Sequence, residues 1–232
     1  MARQARLALP GYPHHLQIRG NNQQRVFLDG DDQGRFLEQL RNVLSEHKLA
    51  LHAYVLLPTE VHLLTTPTAA HGLSRCMQSL GRRYVAGFNT RHQRSGTLWE
   101  GRFRAHVVAG HVMVLRAMRY IESLPQSLGL ASALLDTVAS SLPHHLGARV
   151  DPLITEPGAY WGLGNTPFER EAAYRNWVEQ GVALAEASLI ASCLLGSRPL
   201  ADPDAMAELE RVAQRSFTPR RRGRPRKITG ST

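Results

Sequence analysis

From the N-terminus onward, the apolar positions switch repeatedly between a period of two and a helical period. His14 to Arg19 is a short strand-like run closed by the turn residues Gly20-Asn21-Asn22. Phe36, Leu37, Leu40, Val43 and Leu44 then recur at helical spacing behind Asp29-Gly30-Asp31-Asp32, whose acids suit a helix N-terminus. Leu49 to Leu57 predicts a strand, Pro58-Thr59 a turn and Val61 to Thr66 a second strand, so the pair reads as an antiparallel hairpin. Leu73, Met77, Leu80, Tyr84 and Phe88 mark one face of a long helix, with Arg75, Arg82 and Arg83 elsewhere on its surface. A fourth strand is expected at Phe103 to Val108. A third helix comes next over Val112 to Ser123, carried by Val114, Leu115, Met118 and Ile121 and ended by Pro125.

The order β-α-β-β-α-β with an added helix predicts an α+β fold, a ferredoxin-like antiparallel sheet covered by helices. Past about residue 130 the pattern becomes helical throughout, over Phe168 to Gly181, Ala183 to Leu195 and Asp202 to Ser216, with Pro- and Gly-containing turns between. Three parts are therefore expected: a core domain at 1–130, a helical appendage at 131–217 and a tail at 218–232. The tail run Arg220-Arg221-Arg222-Gly223-Arg224-Pro225-Arg226-Lys227 has too little apolar content to pack and is expected to be disordered when free.

Composition narrows the partner. With 28 Lys and Arg against 19 Asp and Glu, the formal charge is +9 and the pI about 10.3, which puts a polyanion, nucleic acid first, ahead of other partners. Cys76 and Cys193 lie far apart with no ligand pattern around them, so neither a disulfide framework nor a zinc knuckle is expected, and a reducing cytoplasm fits. No stretch approaches a membrane span and the N-terminal apolar run is too short for a signal peptide, so the reading is a cytoplasmic protein without a membrane partner.

Candidate chemistry centres on Leu57-Pro58-Thr59-Glu60-Val61-His62. Alternation along a strand projects Glu60 and His62 from one face, where a carboxylate and an imidazole can converge on a cation. From spacing alone, a polar pair on the solvated face of an edge strand explains them as well, and two ligands do not make a metal site. Read singly, Tyr120 is a boundary residue beside an apolar stripe. His14, His15, His52 and His106 read as structural or surface histidines, and Trp99 as a core residue.

Five blocks in order change this picture: Gly11-Tyr12-Pro13-His14-His15-Leu16 with Arg19-Gly20-Asn21-Asn22; Leu51-His52-Ala53-Tyr54-Val55-Leu56-Leu57-Pro58; Gln78-Ser79-Leu80-Gly81-Arg82-Arg83-Tyr84; Gly96-Thr97-Leu98-Trp99-Glu100-Gly101-Arg102-Phe103; and Arg119-Tyr120-Ile121-Glu122. Together they resemble the REP-associated tyrosine transposases, single-tyrosine enzymes of the HUH type, and the likeness extends over nearly the whole chain. The resemblance implies a strand carrying His-hydrophobic-His, a nucleophilic tyrosine on the last core helix and a third polar metal ligand one turn beyond it. Tyr120 and His62 match. Glu60 stands at the first histidine position, and Leu124 where the family places a polar residue, usually Asn.

The implied activity is DNA transposition, in which single-stranded hairpin DNA or a palindromic repeat is cut and rejoined through a 5′-phosphotyrosine at Tyr120 with Mg²⁺ or Mn²⁺ near Glu60 and His62. A carboxylate is a hard ligand suited to either ion, whereas Leu124 has no lone pair to give. The competing reading is a hairpin-binding module that does not cut. For DNA contact, Arg19, Asn21 and Asn22 sit at a strand-to-turn edge, Arg82, Arg83, Arg102 and Arg104 are expected to flank the cleft, and Arg222 and Arg224 form an AT-hook-like core in the tail. DNA as partner would place the protein at the nucleoid.

Overall fold

The computed structural model describes residues 7–132 and 139–217. In chain order the elements are β1 (His14–Arg19), a single 3₁₀ turn (Asn21–Gln23), α1 (Gly30–His47), β2 (Leu49–Leu57), β3 (Glu60–Pro67), α2 (Gly72–Arg91), β4 (Arg104–Ala109) and α3 (His111–Ser127). The C-terminal elements are α4 (Leu142–His145), α5 (Gly158–Trp161), α6 (Pro167–Glu179), α7 (Leu184–Gly196), β5 (Leu200–Ala201) and α8 (Pro203–Ala213).

Strand order is β2-β3-β1-β4-β5, with the first four antiparallel and β5 joined parallel to β4. The βαββαβ core is thus the ferredoxin-like sheet that the pattern predicts, and β5 adds a strand from the far end of the chain. Local chemistry starts and stops the helices. The Asp29 carboxylate accepts from the Asp32 N–H to cap α1, and Lys48 closes that helix in the left-handed conformation. Thr166 and Glu169 form a reciprocal capping box on α6. Gly110, between β4 and α3, has φ 89° and lies against the Asp202 carboxylate, so a side chain there would be both strained and obstructed.

The two faces of the sheet carry separate cores. Leu16, Ile18, Val61, Leu63 and Ala105 point to one side, where α1 and α2 bury Phe36, Leu40, Met77, Leu80 and Tyr84. Ala53, Val55, Leu57, Leu64 and Val108 point to the other, where α3 meets Leu142, Tyr160, Tyr174, Val178, Ile190 and Leu200 of the C-terminal segment. Backbone bridges Val55–Ser140 and Leu51–Ile154 also cover the outer edge of β2, which would otherwise offer unpaired N–H and C=O groups.

Three details differ from the periodicity reading. Pro125 lies inside α3 rather than ending it; in the last turn the missing N–H forfeits a single ladder bond, and the helix continues to Ser127. The four-residue helices α4 and α5 are too short to produce a period, and β5 is two residues long. Finally, Glu122 is fully buried, its carboxylate accepting hydrogen bonds from Ser141 Oγ, from His145 Nδ1 at 2.7 Å and from the Tyr174 hydroxyl at 2.6 Å. It ties α3 to the C-terminal helices. Arg119 does the same beside it, bonding Glu186 at 2.7 Å and stacking 4.0 Å from the Trp177 ring centroid.

A candidate DNA-cleaving cleft

Strand register builds the cleft. Gln17 lies opposite both His62 and Arg104, Arg19 opposite Glu60, and His15 opposite His106. Alternation therefore brings His15, Gln17 and Arg19 of β1, Glu60 and His62 of β3, and Arg104 and His106 of β4 to the face that α3 covers.

A hydrogen-bonded chain of imidazoles runs beneath this face. His62 Nε2 is 3.2 Å from Glu60 Oε1, His62 Nδ1 is 2.9 Å from His15 Nε2, and His15 Nδ1 is 3.1 Å from His106 Nε2. The ring protons can run either way along this chain: a proton on His62 Nε2 donates to Glu60, while a bare His62 Nε2 accepts from Gln17 Nε2 at 3.4 Å and leaves His106 a proton for the Arg198 backbone. The chain ends on buried His106, beside the Arg198 backbone. Burial holds His15 well below the usual imidazole range and brings His106 down to about 4, keeping both rings neutral.

Glu60 is the charged centre. Its Oε2 accepts from Arg19 Nε at 3.0 Å and from Gln17 Nε2 at 3.0 Å, while Oε1 faces His62. Burial alone would raise its pKa, but His62, Arg19 and Gln17 together hold it below the usual carboxylate range. Tyr120 covers the cleft from α3, its half-buried ring 5.9 Å from His15 and 6.4 Å from His62 between centroids. Its hydroxyl makes no hydrogen bond to any described residue. Burial, and then the nearby Glu60 charge, push this phenol above its ordinary pKa.

Within this architecture, residues 11–124 match the model of the IS200-like transposases. Residues 11–124 belong to that family. A solved structure described as a REP-associated tyrosine transposase bound to a REP hairpin superposes on this chain with a TM-score of 0.53 at 17% identity, covering 68% of this chain and 92% of that one. The likeness is one of fold. A second structure, a transposase candidate from Deinococcus radiodurans, gives a TM-score of 0.36 at 20% identity over 56% of this chain and 95% of its own, too low to carry weight. No curated protein matches this chain in sequence.

Transposases of this type generally use a divalent metal. The donors here do not fit one as they stand. Glu60 Oε2 already accepts from Arg19 Nε and Gln17 Nε2. Leu124, one turn beyond Tyr120, is buried in the apolar core under α3, and among the described residues no three His, Cys, Asp or Glu side chains converge.

Of the other expected contacts, Asn21 and Asn22 sit in the 3₁₀ turn beside Arg19, and Asn22 adopts the left-handed conformation at φ 51°. Arg102 is exposed just before β4, whereas Arg104 lies on the cleft face. Arg82 and Arg83 do not flank the cleft: α2 covers the opposite face of the sheet, and Arg83 pairs with Glu46 of α1 at 2.6 Å. Arg222 and Arg224 lie outside the described residues. Sequence reasoning passed over His15, Gln17 and His106; their signal was a polar residue at every second position of three adjoining strands.

Proposed function

We propose that this chain cuts and rejoins single-stranded DNA, a hairpin or palindromic repeat, with residues 1–130 carrying the chemistry and residues 131–217 bracing α3. The observation that carries this reading is the placement of Tyr120 over the Glu60–His62 pair within the IS200-like segment. The Tyr120 oxygen attacks phosphorus and the P–O3′ bond breaks; the phenolic proton ends on the departing 3′-oxygen, leaving a 5′-phosphotyrosine and a free 3′-hydroxyl. Rejoining is the reverse reaction with a new 3′-hydroxyl, so the bond energy is conserved in the adduct. Mg²⁺ or Mn²⁺ at Glu60 and His62 is the family's way of offsetting phosphate charge, and no step here is routed through it.

Incubation with end-labelled hairpin DNA, and then a denaturing gel, tests the proposal. A protein-linked label is the expected result. Tight hairpin binding with no linked label would favour the second reading, a binding module, which the raised phenol pKa and the buried Leu124 support. On either reading DNA is the proposed partner, which supports a cytoplasmic location at the nucleoid.

The tail gives a separate prediction. Deleting residues 219–232 should leave folding and adduct formation intact while weakening duplex binding, each lost phosphate contact removing about 0.9 from the slope of log affinity against log salt. An AT-hook requires a larger loss on A·T-rich than on G·C-rich duplex, because the narrow groove rewards inserted arginine. An unchanged salt slope would show that the tail does not touch DNA.

A further inference from the structure

The cleft has a charge requirement that its carboxylate and imidazoles cannot meet. A phosphodiester brought to Tyr120 would lie beside the Glu60 carboxylate, which repels an anion unless a cation stands in front of it. Of the two arginines on this face, Arg19 and Arg104, Arg19 is the one bonded to Glu60. Arg19 lies directly across the ladder from Glu60 and bonds it through Nε at 3.0 Å. Its side chain is 36% exposed, and its two terminal nitrogens have no hydrogen-bond partner among the described residues. A guanidinium fixed through Nε with a free terminal pair is the geometry that grips two phosphate oxygens at once.

We propose that Arg19 is the resident cation of the cleft, held by Glu60 through Nε and gripping the DNA phosphate through its terminal nitrogens, in the place that related transposases give to a divalent metal. The inference rests on the DNA reading above. Gln17 and His62 complete the arrangement by satisfying the rest of the Glu60 carboxylate, so that the pair stays formed when DNA leaves. Glu60 is then a positioning residue for Arg19, which explains why a carboxylate serves at a place where the family pattern has a histidine.

Two measurements on the full chain test this: uptake of Mn²⁺ monitored by paramagnetic resonance, and anisotropy of a labelled DNA hairpin in EDTA. Wild type is expected to bind the hairpin in EDTA and to take up no stoichiometric Mn²⁺. Arg19→Ala should lose about tenfold or more in hairpin affinity, as expected for a charge-assisted two-point contact, and should flatten the salt slope by about 0.7 for the lost single-strand phosphate. It should also gain Mn²⁺ uptake, because the Glu60 oxygen is released. Arg19→Lys keeps the charge without the Nε anchor, and should retain part of the affinity and still exclude Mn²⁺. It serves as the test if Arg19→Ala does not fold. One-to-one Mn²⁺ uptake by wild type that vanishes in Glu60→Ala, with hairpin binding intact, would overturn the Arg19 assignment alone. Unchanged hairpin affinity in Arg19→Ala would overturn it as well. Failure of wild type to bind any hairpin would overturn the DNA reading, and the phosphate role of Arg19 with it.

Discussion

Tyr120→Phe is expected to abolish the covalent protein–DNA adduct while hairpin affinity stays within a few-fold of wild type. The substitution removes one oxygen and keeps the ring. That ring packs beside His15 and His62, and the hydroxyl bonds to no described residue, so its loss leaves no buried polar group unpaired. The phosphate contacts proposed for Arg19 are untouched by the change. The gel assay on labelled hairpin reads the first effect and anisotropy the second. An adduct of undiminished yield would remove Tyr120 as nucleophile, and a large loss of binding would mean that the hydroxyl holds DNA rather than attacking it.

Glu122→Ala should be the most destabilising single change in the chain, by roughly 3–5 kcal/mol as for the loss of one partner from a buried charged network. His145 and Tyr174 would each be left with a buried donor and no acceptor, while Ser141 keeps only its longer bond to the Tyr54 carbonyl oxygen at 3.3 Å, all beside a cavity at the seam between α3 and the C-terminal helices. Urea unfolding of the variant beside wild type measures this. A midpoint shift equivalent to less than about 1 kcal/mol would show that water enters the seam and satisfies those groups.

The ferredoxin-like core was legible because its signals are local. β1 and β2 run as predicted, and α1 and α2 keep the periods of Phe36–Leu40–Val43 and Leu73–Leu80–Tyr84. Tyr120 and the pairing of Glu60 with His62 were readable from motif order and strand alternation. The features that escaped were set by register between distant segments. Nothing near His15 announces His106, 91 positions away, or shows that Arg19 faces Glu60 across a ladder. The expectation that Arg82 and Arg83 border the cleft failed for a related reason: helical periodicity shows which side of α2 is apolar, but not which face of the sheet that side covers.

The seam around Glu122 also bears on how such a chain can change over evolutionary time. Since β5 extends the sheet from beyond α7, and residues 139–155 cover the open edge of β2, the IS200-like segment borrows part of its own sheet from the C-terminal segment. A descendant that lost the C-terminal helices would therefore inherit an uncovered strand edge and a bare apolar face along with Tyr120, and would have to replace both before the tyrosine was of any use.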